Sequence, residues 1–132
     1  MNRVLIIGLS LLLATATFAQ HPKKAVKAYE VAEEAFMRRD YKKAQQQVLK
    51  AIAEDPNYAE AWLLEGEIGM ETHDVDLAVL GYENALSSDS MVFPPAAVTL
   101  ARLYDQRGSY SREIPLLRWY QLRATGNAVM DA

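Results

Sequence analysis

The sequence has 132 residues, of which 51% are hydrophobic and 23% charged, with a formal net charge of −3 and no cysteine. This composition is typical of one folded domain and excludes a disordered or collagen-like chain. The lack of cysteine excludes a disulfide framework, a thiolate metal site and a cysteine nucleophile. The slight excess of acidic residues argues against a nucleic-acid-binding surface, which usually carries a basic excess.

Residues 1–19 have the layout of a secretory signal peptide. Arg3 provides the positive start, an apolar stretch follows it, and Thr17 and Ala19 are the small residues before a cut at Gln20. The alternative is an uncleaved anchor, but the apolar stretch is shorter than the roughly 20 residues that a membrane span needs. We therefore expect a cleaved export signal and no stable membrane span after cleavage.

A short motif recurs along the rest of the chain at a spacing of 34 residues. Residues 40–44 (DYKKA) correspond to residues 74–78 (DVDLA) and, with one inserted residue, to residues 109–113 (SYSRE). Ala51 recurs in the same way as Ala85. A repeat of this length with helical apolar spacing predicts stacked helical hairpins, each of which needs its neighbours to bury its apolar face.

This pattern resembles the tetratricopeptide repeat family, in which small residues let two helices approach and larger ones fill the gaps. Ala44, Gly66 and Ala78 are the small residues here, and Trp62 and Tyr82 are among the larger ones. The resemblance implies an all-α fold, a right-handed superhelix of about three antiparallel helix pairs preceded by the signal-peptide helix. Its expected parts are a linker at 20–24, repeats at about 25–58, 59–92 and 94–127 within a domain at 25–127, and a tail at 128–132.

The resemblance also implies where a partner would bind, because the first helix of each pair lines a concave face in this family. The groove positions that follow are Tyr29, Glu33, Phe36, Met37, Leu63, Glu67, Met70, Arg102, Asp105 and Gln106. Aromatic, methionine and acidic side chains together suit a helix or extended peptide with apolar and basic side chains. The alternative is that the apolar members only pack against neighbouring helices.

A last helix is expected at about residues 112–124. Most of its apolar residues share one arc, but Trp119 and Leu122 project outside it. Few residues follow to cap the repeat array, so we expect an apolar patch at these two side chains. Such a patch could dock a second copy of the chain, another protein or a continuation of the chain.

Residues that could carry chemistry are sparse. His21 and His73 are the two histidines, and neither has the neighbours at ligand spacing that a metal site requires. The carboxylates Glu33, Glu34, Glu65, Glu67 and Glu71 fall at helical spacings and are expected to face solvent. We therefore predict no catalytic, cofactor-binding or metal-binding residue, and no enzymatic activity.

The order of features narrows the expected function. A signal peptide, then residues 55–61 (DPNYAEA) and residues 93–96 (FPPA), resembles the N-terminal repeat segment of exported bacterial envelope proteins that continue into TolB-like propeller and OmpA-like domains. The resemblance implies a protein-interaction scaffold in the periplasm or at the outer membrane. The alternatives are a self-associating structural protein, or the N-terminal fragment of a larger envelope protein connected with secretion or gliding.

Overall fold

The computed structural model describes residues 21–89 and 92–109, together with Pro115 and Arg118. Within these residues the fold consists of five α-helices and contains no strand, which confirms the all-α prediction. The helices are α1 (Lys23–Met37), α2 (Tyr41–Glu54), α3 (Ala59–Glu71), α4 (Val75–Ser88) and α5 (Pro95–Gln106). The closest packing joins α1 to α2 and α3 to α4, so the described chain begins with two helical hairpins, and α5 packs on α4.

The turns that follow α1, α3 and α5 share one backbone conformation. Each contains a residue with positive φ: Arg39 at 61°, His73 at 58° and Gly108 at 68°. In each turn, the N–H group of the residue after the one with positive φ donates a hydrogen bond to the carbonyl five residues before it. This is the Schellman arrangement that ends a helix. These bonds join Asp40 to Ala35, Asp74 to Gly69 and Ser109 to Tyr104, at 2.7–2.9 Å. The structural repeat is therefore 34 residues and then 35, in agreement with the inserted residue predicted in the third motif.

The second helix of each hairpin begins with the same side-chain cap. The Asp40 carboxylate accepts a hydrogen bond from the Lys43 N–H at 3.1 Å, and the Asp74 carboxylate accepts one from the Leu77 N–H at 3.0 Å. Such a cap satisfies one of the free donors of a helix start and stabilises it by about 1 kcal/mol. The 34-residue spacing of the sequence motif is therefore the spacing between the starts of α2 and α4.

The turn between the hairpins is fastened by its own side chains. The Asp55 carboxylate accepts the Asn57 N–H at 3.0 Å, and the Trp62 indole N–H donates to the Pro56 carbonyl at 2.8 Å. These bonds hold the four residues that join α2 to α3. The second hairpin is therefore held next to the first, and α2 lies against α3.

Small residues make both hairpins narrow. Buried alanines line the α1–α2 contact, among them Ala32, Ala35 and Ala44. In the second hairpin, glycines lie at the closest contact between α3 and α4. A Cβ added to Gly81 would lie 2.2 Å from the Gly66 backbone nitrogen. The backbones of α3 and α4 are thus in direct contact there, closer than any side chain would permit.

One carboxylate is buried, contrary to the expectation that it faces solvent. Glu65 is 1% exposed between α2 and α3. Its Oε1 accepts a hydrogen bond from the Gln45 side-chain amide at 3.4 Å, while its Oε2 has no partner. Burial raises the pKa of this carboxyl group, an effect that the Gln45 hydrogen bond opposes. The prediction was wrong because α3 is apolar around most of its circumference, so helical spacing did not identify its buried side.

The described residues cover only part of the predicted domain layout. Pro22 occupies the position before the first helical residue, so α1 begins at Lys23, inside the predicted linker at 20–24. The predicted signal peptide at 1–19 lies outside the described residues. The same holds for Trp119 and Leu122, since Pro115 and Arg118 are the described residues of the predicted last helix and both are exposed and helical there.

Candidate functional site

Six of the ten predicted groove residues line one cavity between α1 and α3. The cavity has a volume of about 250 Å³. Its lining consists of Tyr29, Glu33, Phe36, Met37, Glu60, Leu63, Leu64 and Glu67. Glu60 and Leu64 complete the lining beside these six residues. We call this cavity the α1–α3 groove.

Helical spacing explains why these side chains converge. On α1, Tyr29, Glu33 and Phe36 follow one another at intervals of four and three residues, which places them on one face of the helix. On α3, Leu63 and Glu67 are 34 residues beyond Tyr29 and Glu33. Equivalent positions on the two helices therefore face each other across the same opening.

The apolar members of the groove also take part in the cores. Tyr29 and Phe36 pack against the cluster of the first hairpin, and Leu63 packs against the cluster that α4 and α5 share. Met37 differs from them because 82% of its surface is exposed. The local packing considered above thus accounts for part of these side chains, and the rest of their surface lines the groove.

The groove is acidic. The Tyr29 hydroxyl donates a hydrogen bond to Glu33 Oε1 at 2.8 Å, and burial together with this carboxylate raises the pKa of the Tyr29 hydroxyl above its usual value. Burial also raises the pKa of Glu67, and the charges of Glu33 and Glu71 raise it further. These shifts indicate that Tyr29 and Glu67 are partly shielded from water beside other negative charges, whereas Glu33 itself is exposed.

A histidine that the sequence analysis set aside lies near two residues of the groove lining, Tyr29 and Glu60. The His21 ring stacks on Tyr58 with the ring centroids 3.9 Å apart, and Tyr58 in turn contacts Tyr29. His21 Nδ1 lies 2.5 Å from Asp55 Oδ2, and its Nε2 lies 3.8 Å from Glu60 Oε2. The signal that could have found it is the spacing of 34 residues between His21 and Asp55, which is one repeat length.

Four of the predicted groove residues do not line this cavity. Met70 is on α3 but beyond the residues that line the groove, and it is 40% exposed. Arg102 and Asp105 are exposed on α5. Gln106 lines a different hollow, between the end of α5 and the α3–α4 turn. The reason is that α5 packs mainly on α4, whereas the groove is formed by α1 and α3.

Comparisons with known proteins found no matching family model and no matching curated protein. Among the described residues, no group of three or more His, Asp and Glu side chains is placed to hold a metal ion. None of the helices within those residues combines the length and apolarity needed to cross a membrane. The binding roles of the groove residues, and of Trp119 and Leu122 outside the described residues, stay predictions.

Proposed function

We propose that this chain is an exported protein-interaction module of the tetratricopeptide type in the bacterial cell envelope. In this proposal the α1–α3 groove binds a peptide or protein segment. The observation that carries it is the convergence of apolar and acidic side chains from equivalent positions of successive hairpins on one cavity. No chemical step is required of the site, because its function is recognition.

The regular turns support the repeat assignment. Three Schellman turns recur at intervals of 34 and 35 residues, and the two aspartate caps recur at 34. The tetratricopeptide resemblance rests on the same length and on the small residues at the helix contacts. A right-handed superhelix of about three helix pairs, whose third pair begins with α5, is the arrangement that we propose on this basis.

The size of the groove supports a peptide rather than a small-molecule ligand. Its volume of about 250 Å³ lies below the roughly 300–1,000 Å³ of typical small-molecule pockets. A cavity of this size accommodates one or two side chains of a longer segment, whose backbone would then run along the exposed surface. Recognition of a peptide through a few anchoring side chains is common for helical grooves.

The peptide-binding proposal can be tested with a random 12-residue peptide library displayed on phage. Enriched peptides are synthesised, and their affinity for the purified chain is measured by fluorescence anisotropy. We expect Met37→Ala to weaken binding several-fold, because this exposed side chain lines the groove. Leu49→Ala is the matched control, since Leu49 is 49% exposed on α2 and does not line the groove. Equal effects of the two substitutions, or no enriched peptide, would contradict the proposal.

The export part of the proposal is tested separately. Its support is the sequence pattern of residues 1–19. The full-length gene is expressed in a bacterium, and the mass of the protein in the periplasmic fraction is measured. We expect the mass of a chain that starts at Gln20. An uncut protein in the cytoplasm would refute export without affecting the peptide-binding proposal.

A further inference from the structure

The α1–α3 groove is lined by both apolar and acidic side chains, and a long cationic side chain is complementary to both. Phe36, Leu63 and Leu64 provide an apolar surface, and the carboxylates of Glu33 and Glu67 border the same cavity. An aliphatic ligand would give the carboxylates no positive counter-charge, and a small hydrophilic cation would leave the apolar surface in contact with water. A long cationic side chain covers apolar surface with its stem and carries its charge at the end.

The negative charge of the groove is not neutralised from within. Among the described residues, no lysine or arginine forms an ion pair with Glu33, Glu60 or Glu67; the nearest basic group is His21 Nε2, 3.8 Å from Glu60. The Tyr29 hydroxyl satisfies one oxygen of Glu33 but brings no positive charge. Carboxylates held near one another without a counter-charge repel, and an incoming cation would relieve that repulsion.

We propose that the groove accepts an arginine side chain of the partner segment. Its stem lies on Phe36 and Leu63, and its guanidinium group bonds to the carboxylates of Glu33 and Glu67. Arginine fits better than lysine because its planar head group carries five N–H donors and can serve two carboxylates at once. This inference deepens the peptide-binding function proposed above and depends on it.

The first test uses the peptides enriched from the unbiased library. We expect most of them to carry one arginine between apolar residues. Replacing that arginine with citrulline, which has the same shape without the charge, is expected to weaken binding at least tenfold. Replacement with lysine is expected to weaken it less. Enriched peptides without arginine, or equal affinity of the citrulline or lysine versions, would overturn the inference.

The second test places the contact on the protein. Glu67→Gln removes one of the three carboxylate charges of the groove lining and keeps a polar side chain of the same size. We expect it to weaken binding of the arginine peptide about tenfold while leaving binding of the citrulline peptide unchanged. Glu34→Gln is the matched control, because Glu34 has the same charge, faces solvent and pairs with Arg38 outside the groove. Equal losses for both variants would indicate a general charge effect and refute a specific contact.

The two proposals fail in distinguishable ways. If peptides bind and Met37→Ala weakens them, but citrulline and Glu67→Gln have no effect, the groove binds peptides without an arginine anchor. If no peptide depends on Met37, the peptide-binding function itself is wrong, and the arginine inference falls with it. Binding of the arginine peptide should also decrease as salt is raised from 50 to 500 mM, whereas binding of the citrulline peptide should not.

Discussion

The contact between Gly66 and Gly81 predicts that a glycine-to-alanine substitution within a helix will destabilise the protein instead of stabilising it. Replacing glycine with alanine inside a helix normally stabilises it by about 1 kcal/mol. At Gly81 the new Cβ would lie 2.2 Å from the Gly66 nitrogen, 2.5 Å from its Cα and 2.8 Å from the Trp62 carbonyl oxygen. These are backbone atoms of α3, which cannot rotate away from the added methyl group.

The magnitude follows from the distance that the helices must move. Ordinary van der Waals contact begins at 3.4 Å, so α3 and α4 would have to separate by about 1 Å. A gap of this size forfeits up to about half of the dispersion energy of the facing atoms. Overpacking of this kind costs about 3 kcal/mol. After the helix-propensity gain is subtracted, we expect Gly81→Ala to lower the free energy of unfolding by about 2 kcal/mol.

Urea denaturation followed by circular dichroism at 222 nm measures this change. Gly66→Ala is the matched control, since its Cβ would lie 3.0–3.1 Å from the ring of the buried Tyr82, so the neighbouring atoms would have to move much less than at Gly81. We expect the control to lose less than half as much stability. A Gly81→Ala protein as stable as the wild type would refute the direct backbone contact between α3 and α4.

Three further predictions concern the turns, the buried carboxyl group and the N-terminal anchor. Gly108 and Arg39 both have positive φ, a conformation that glycine adopts more easily than other residues. Gly108→Ala should therefore lower the free energy of unfolding by about 1 kcal/mol, and Arg39→Gly should raise it by about 0.5 kcal/mol. Both changes are measured from the midpoints of urea denaturation. Because burial raises the pKa of Glu65, the folded chain keeps this proton to a higher pH than the unfolded chain does. The free energy of unfolding should therefore rise as the pH is lowered from above the raised pKa of Glu65 in the folded chain to the ordinary pKa of a glutamate in the unfolded chain. Glu65→Gln should remove this part of the pH dependence of the denaturation midpoint. His21→Ala should lower stability by about 1 kcal/mol through loss of the stacked ring and the Asp55 contact, and should speed hydrogen exchange in the α2–α3 turn; unchanged exchange would contradict this role.

The parts of the fold that the sequence predicts well are those controlled by local chemistry. Asp40 and Asp74 were informative because a capping carboxylate acts on an N–H group three residues away, within the same motif. The inserted residue in the third motif could be located for the same reason, since Gly108 and Ser109 complete the same turn. Local signals of this kind do not depend on how the helices pack.

The parts that the sequence did not predict depend on contacts between helices. Glu65 and Gly81 both lie on apolar helices, where helical spacing does not distinguish the side that meets the neighbouring helix. Gln106 was assigned to the groove by its place in the repeat, but the packing of α5 on α4 places it at another hollow. Tyr29 and Glu67 do line the cavity, and the residues at the corresponding positions of the other hairpin, Leu63 and Glu33, line it too.

The anchoring of His21 has a practical consequence for work with this protein. The chain enters the fold beside Glu60, a residue of the groove lining, and is held there by Asp55 and Tyr58. An affinity tag or reporter fused directly before His21 would therefore be attached close to Glu60, one of the residues that line the α1–α3 groove. A positively charged tag, such as an oligo-lysine or a protonated polyhistidine, would compete there with the arginine side chain that we propose as the ligand. Binding measurements are best made with the tag removed or attached at the other terminus.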